Sequence, residues 1–140
     1  MMGDNMDQTL KIIGYVRSEI KDINSAPKME NEPGAVQVRL ELEPEYLAAM
    51  DALAPGCELD LFTWLHKADR STLTVHPRGN KALPKRGIFA TRSPDRPNPI
   101  GLHRVKIIAI APPATLIVAP LEVIDGTPII DIKSKPNNTK

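Results

Sequence analysis

The sequence predicts a mainly β protein, a small closed or nearly closed sheet of short strands with one short helix and irregular Pro-rich loops. Three observations carry this. Apolar residues alternate with polar ones over short runs, as in AVQVRLEL (35–42); turn residues punctuate those runs at close intervals; and only one segment, 44–53, has helical spacing.

In chain order, LKIIGYVR (10–17) has strand composition, and Gly14 within it marks a bulge or a close approach by another backbone or a ligand. Residues 18–34 are polar and hold Pro27, Pro33 and Gly34, which reads as a long loop of the kind that often carries function. In the next strand Val36, Val38, Leu40 and Leu42 share one face and Gln37, Arg39 and Glu41 the other. PEYLAAMDAL (44–53) starts on Pro44 with an early Glu45, repeats Leu47, Met50 and Leu53 every three residues, and stops before Pro55-Gly56.

ELDLFTWLH (58–66) is apolar on both parities, so it is expected to be a strand covered on both faces, and STLTVHP (71–77) follows as another strand. Gly87 to Thr91 is a short apolar run of strand type. LHRVKIIAI (102–110) and TLIVAP (115–120) form a hairpin around Pro112-Pro113, and LEVIDGTPIIDIK (121–133) closes the sheet with a tight turn at Asp125-Gly126.

At 140 residues, 41% hydrophobic and 25% charged, the chain has the dimensions of one soluble domain, read here as spanning 1–140. No apolar run reaches the length of a membrane span, and the N-terminus has acidic residues and no apolar signal core, so a cytoplasmic location is expected. Cys57 is the single cysteine, lies in Pro-Gly-Cys-Glu without a basic neighbour and reads as structural. No Cys/His spacing suits a metal, and the glycine patterns of dinucleotide and P-loop sites are missing, as is the G-x-S-x-G of a nucleophile elbow.

Charge is segregated. The net charge is only +1, yet the segment from His76 to Lys106 has eight Lys and Arg against one acid, Asp95, which leaves segments of +7 and −6. Such a patch suits phosphates or another polyanion, or is a solvated face balanced by acids nearby in space. Within it, residues 86–105 (RGIFATRSPDRPNPIGLHRV) place Arg86, Arg92 and Arg96 among Pro94, Pro97 and Pro99. The prolines fix φ and extend the residues before them, giving a stiff, irregular loop. It reads either as a preorganised arginine-bearing site for a small anionic or nucleoside-like ligand, or as a connection between strands. His66, two residues after Trp64, shares its face if the strand continues, forming a pocket tip or a hydrogen-bonded surface residue. Asp125 to Pro128 reads first as a turn. Asp131 and Lys133 share one strand face as an ion pair or a polar pocket edge.

Taken together, these residues resemble the TsaA/TrmO-like family of S-adenosylmethionine-dependent tRNA methyltransferases. GIFATRSPDRPNPIGL (87–102) is similar to the family's GVFATRSPxRPNPIGL across sixteen adjacent positions. IGYVRS (13–18), WLHK (64–67) and LEVIDGTPIIDIK (121–133) resemble its other landmarks in the same order. The resemblance implies a small β-barrel acting as a homodimer, with S-adenosylmethionine bound near the subunit interface, and methylation of N6 of threonylcarbamoyl-adenosine next to the anticodon of tRNA. It implies cofactor-binding roles for His66, Lys67, Arg92, Leu102, Asp125, Gly126, Thr127 and Pro128, and for Lys28 and Met29 where the family often has Pro-Arg-Gln. His66 and Asp131 are the candidate catalytic proton acceptors.

Two departures bear on the acceptor side. The chain reads DIKSKPNNTK where the family commonly has DIKPY and a further C-terminal domain, which is taken as absent, and HPRGNKALPKR (76–86) replaces an RPPRLGGN-type segment. The same cofactor chemistry on another RNA or a small molecule, and a binding module without catalysis, stand as alternative readings.

Overall fold

The computed structural model describes residues 7–19 and 37–136. Eight strands are formed: β1 (Gly14–Arg17), β2 (Val38–Leu42), β3 (Glu58–Trp64), β4 (Thr74–Val75), β5 (Arg86–Gly87), β6 (Ile100–Ala111), β7 (Thr115–Ala119) and β8 (Pro128–Ser134). Six of them close into a barrel in the order β1-β2-β7-β6-β3-β8, with β8 returning to pair with β1; β4 and β5 form a separate two-stranded ribbon. Each barrel pairing is antiparallel; β6 and β7 form a tight hairpin, whereas the long connection 65–99 between β3 and β6 carries the β4–β5 ribbon.

The barrel interior is built by alternation. Val38, Leu40 and Leu42 of β2 point inward, as do Leu59, Leu61 and Thr63 of β3, Val105 and Ile107 of β6, and Leu116 and Val118 of β7. Leu40, Leu61 and Leu116 are fully buried, each contributing about 1.5–3 kcal/mol relative to exposure. Gly14 is where β2 comes closest: a Cβ there would overlap the Glu41 carbonyl oxygen and lie 2.8 Å from Leu42 Cα. Of the roles open to that glycine, close approach by another backbone is the one observed.

Five expectations change. β1 begins only at Gly14, although Ile13 still donates its N–H to the Ile129 carbonyl at 2.9 Å. The segment after Pro44 forms a 3₁₀ helix over Pro44–Met50, consistent with apolar spacing of three, and it buries Met50 while Leu47 stays exposed. β3 stops at Trp64 and is buried on its inner face alone, its outer residues Asp60, Phe62 and Trp64 being half-buried. The 71–77 segment contributes only the two residues of β4, and Ile88–Ala90 is a single 3₁₀ turn in place of a strand. The reason is the pairing: Ile88 donates to the Leu73 carbonyl to end the ribbon, and Thr91 then donates back to Ile88. The expected loop at 18–34, with Lys28 and Met29, lies outside the described residues but for its first two.

Candidate functional site

Strand register brings distant segments to one end of the barrel. Trp64 at the end of β3 pairs with Ile100 at the start of β6, Thr63 pairs with Ile129 near the start of β8, and Tyr15 of β1 pairs with Pro128. The turn holding His66 and Lys67, the loop 88–99 and the Asp125–Pro128 turn therefore all open at that end. His66 and Lys67 lie on a turn closed by Ala68 N–H to the Leu65 carbonyl, so His66 does not share a strand face with Trp64; it is exposed. Leu102 lies two residues into β6, faces outward and is 48% exposed.

Asp131 is placed differently. It sits at mid-strand in β8 opposite Phe62, and borders a groove of about 590 Å³ between β8 and the 3₁₀ helix, lined also by Tyr46, Met50 and Cys57. The two candidate proton acceptors thus belong to different parts of the surface.

The arginines of the 86–105 loop divide into two kinds. Arg96 turns inward and binds three backbone carbonyls: Nε to Ser93 at 2.8 Å, and one terminal nitrogen to Thr91 at 2.7 Å and Ile88 at 3.1 Å. One guanidinium thereby spans the loop, its planar fork suited to several acceptors at once. The β3 turn is tied to the same loop. Leu65 N–H donates to the Pro99 carbonyl, Asp69 N–H to the Asp95 carboxylate, and Arg70 to the Pro97 carbonyl at 2.7 Å while stacking over Trp64 at 5.0 Å. Arg92 is exposed and makes no hydrogen bond or ion pair with a described residue. Sequence reading singled out Arg92 and missed the structural work of Arg96 and Arg70, because their acceptors are largely backbone carbonyls that no side-chain pattern announces.

In the Asp125–Pro128 turn, Asp125 Oδ1 accepts the Ser18 N–H at 2.9 Å and Gly126 N–H donates to the Val16 carbonyl at 2.7 Å. Gly126 adopts φ 85°, which favours glycine. Thr127 is fully buried and its hydroxyl donates to the Ile124 carbonyl at 2.6 Å, so its side chain holds the turn. What this turn offers a ligand is backbone and the Asp125 carboxylate.

Beneath these loops the barrel contains a polar pair that the sequence did not single out. His103 Nε2 and the buried Thr63 hydroxyl lie 2.9 Å apart, next to Gly101, where a Cβ would come within 2.7 Å of both. Burial lowers the His103 pKa to about 4, so the imidazole is neutral at neutral pH.

Beside the loop, a groove of about 900 Å³ opens between it and the β4–β5 ribbon. Arg78, Lys81, Lys85, Arg86 and Arg92 line it, and among the described residues no acidic side chain does. Among the described residues no group of three His, Cys, Asp or Glu side chains is placed to hold a metal ion, and no helix is long and apolar enough to cross a membrane.

Residues 15–137 match the family described as the tRNA-methyltransferase O N-terminal domain. The chain is 38% identical over 129 residues to a protein of Methanothermobacter thermautotrophicus named "Probable S-adenosyl-L-methionine-binding protein", covering 92% of this chain and 90% of that one. It is 39% identical to an S-adenosyl-L-methionine-binding protein of Archaeoglobus fulgidus, covering 89% of this chain and 86% of the relative. A crystal structure of TrmO from Pseudomonas aeruginosa superposes with a TM-score of 0.72 at 28% identity, covering 94% of this chain and 57% of that one. The chain thus spans little more than half the length of that solved protein. With the motif order, the barrel and the loop end of the barrel agreeing, the chain belongs to the tRNA-methyltransferase O N-terminal domain family.

Proposed function

We propose that this protein methylates N6 of threonylcarbamoyl-adenosine beside the anticodon of tRNA, using S-adenosylmethionine. The observation that carries the reading is the gathering of His66, Lys67, the arginine loop and the Asp125–Pro128 turn at one end of the barrel, from segments far apart in sequence. Relatives named for binding S-adenosylmethionine and the family's description support it.

The residues suit such a cofactor. It presents a carboxylate, an amine, a sulfonium, a ribose and an adenine, and this end of the barrel offers the exposed guanidinium of Arg92, the Asp125 turn and the apolar surface of Leu102. Bound there, the cofactor would supply an electrophilic methyl group, whose bonding pair stays with sulfur on transfer. Arg92 would hold the carboxylate as a two-pronged donor. Backbone groups of Leu102 and of the turn at Gly126 would take polar edges, and Lys67 would add positive charge. His66, at this end of the barrel, would accept the proton that the attacking nitrogen loses, whereas Asp131 borders the separate groove beside the 3₁₀ helix. The stiffness that Arg96 gives the loop favours catalysis by positioning, since little ordering remains to be done on binding.

A homodimer and a cytoplasmic location complete the proposal. Supporting the dimer, the outward face of β6 carries two exposed apolar pairs, Ile100 with Leu102 and Ile108 with Ile110, each residue 40–48% exposed, on either side of Arg104 and Lys106. Calorimetric titration with S-adenosylmethionine and with its demethylated product tests the site: saturable binding of both is expected, and the absence of binding heat for either would refute it.

A further inference from the structure

We infer that the groove between the β4–β5 ribbon and the 90–94 loop holds the sugar-phosphate backbone of a single-stranded RNA segment, with Phe89 as the surface on which one base stacks. This deepens the proposed function, resting on its RNA acceptor, by assigning the surface that receives that acceptor.

The charge pattern is the first argument. Arg78, Lys81, Lys85, Arg86 and Arg92 all line the groove, all are exposed, and none of their side chains makes an ion pair or hydrogen bond with a described residue. On the barrel wall several cations are paired: Arg17 with Glu41 at 3.2 Å, Arg104 with Asp60 at 2.6 Å, Lys135 with Glu58 at 2.9 Å. Cations crowded in one groove repel each other, and an anion with several regularly spaced charges relieves that repulsion along the groove's length.

The second argument is order. The basic segment is hydrogen-bonded to itself: His76 Nδ1 lies 2.9 Å from the Leu83 carbonyl, Ala82 N–H donates to Asn80 Oδ1, and Gly79 N–H donates to the His76 carbonyl. A loop so braced presents its charges without first being ordered by the ligand.

The third is Phe89. It is 81% exposed although both chain neighbours are engaged, Ile88 in the core and Ala90 in the groove wall. Phe89 itself stands just outside the groove lining, one residue before Ala90, and an exposed aromatic ring next in the chain to a cation-lined groove is a combination by which single strands are held, ring on base and cation on phosphate. Sequence-specific RNA contacts are made mostly to unpaired loops, whose bases can leave the stack and reach such a ring. An acidic protein would use the charges and leave Phe89 without a role.

The test uses the full chain, a fluorescein-labelled anticodon stem-loop RNA, a blunt RNA duplex of the same length, and polyglutamate. Anisotropy titrations at several salt concentrations compare the wild type with Phe89→Ala and with a combined Arg78→Gln, Lys81→Gln, Lys85→Gln, Arg86→Gln variant. The stem-loop should bind best, and the combined variant should flatten the slope of log affinity against log salt by about 3, from four lost phosphate contacts. Phe89→Ala should weaken stem-loop binding about 10-fold with the slope unchanged. Both variants should titrate with S-adenosylmethionine as the wild type does. An unchanged salt slope, or equal affinity for the duplex or polyglutamate, would overturn the assignment. So would a Phe89→Ala variant that loses dimer mass in sedimentation but keeps its RNA affinity. A wild type that binds the stem-loop as described but not S-adenosylmethionine would refute the methyl-transfer reading and leave the groove assignment standing.

Discussion

Replacing Arg96 by alanine separates the residue that builds the loop from the one that serves a ligand. Its guanidinium donates to the carbonyls of Ser93, Thr91 and Ile88 at 2.8, 2.7 and 3.1 Å. A hydrogen bond to a charged group contributes about 1.5–3 kcal/mol, but the three share one side chain and water reaches the half-buried site, so the net loss should be about 2–3 kcal/mol. With a urea slope of about 1–3 kcal/mol per molar, the unfolding midpoint should fall by about 1–2 M. Protease cleavage within 88–99 should rise in parallel. The control is Arg92→Ala, whose side chain is exposed without a described partner; its midpoint should move by less than about 0.3 M. Equal midpoints for wild type and Arg96→Ala, or a comparable loss in Arg92→Ala, would refute this division of labour.

Three further outcomes follow from the site. Arg92→Ala should weaken S-adenosylmethionine binding roughly 10- to 100-fold in calorimetry, the range for one charge-assisted contact, and undiminished affinity would remove Arg92 from the site. Because the folded His103 has its pKa lowered to about 4 against an ordinary 6.5, the unfolded chain takes up a proton first as pH falls. Stability present above pH 6.5 should be lost progressively toward pH 4, by up to about 3 kcal/mol, and His103→Gln should abolish that component of the urea midpoint's pH dependence. Gly101→Ala should cost about 1–3 kcal/mol in chemical denaturation, because its Cβ would press on Thr63 Oγ1 at 2.6 Å and His103 Nε2 at 2.7 Å, and a neutral result would show that this polar pair can yield.

Much of the barrel is legible in the sequence because period-two alternation is a local signal. Val38, Leu40 and Leu42 announce the inner face of β2, and Pro112-Pro113 and Asp125-Gly126 mark turns that the structure contains. What escapes is decided by partners far along the chain. Ile88–Ala90 looks like a strand until the ribbon ends at the Leu73 carbonyl and Arg96 claims the carbonyls of Ile88 and Thr91. His66 seems to share Trp64's face until the chain turns at Leu65. The loop's importance is visible in its composition, but Arg92 and Arg96 look alike there, and only the fold assigns Arg96 to the backbone and leaves Arg92 exposed, without a partner among the described residues. His103 carried no sequence signal as a buried neutral group, because its burial depends on β6 running past Thr63.

The most direct measurement incubates the purified chain with methyl-labelled S-adenosylmethionine and tRNA carrying threonylcarbamoyl-adenosine, followed by digestion to nucleosides and mass analysis. The account predicts label in that nucleoside, at N6, with wild-type protein and its loss with Arg92→Ala. Label confined to another nucleoside, or no transfer to any tRNA by protein that binds the cofactor, would contradict it.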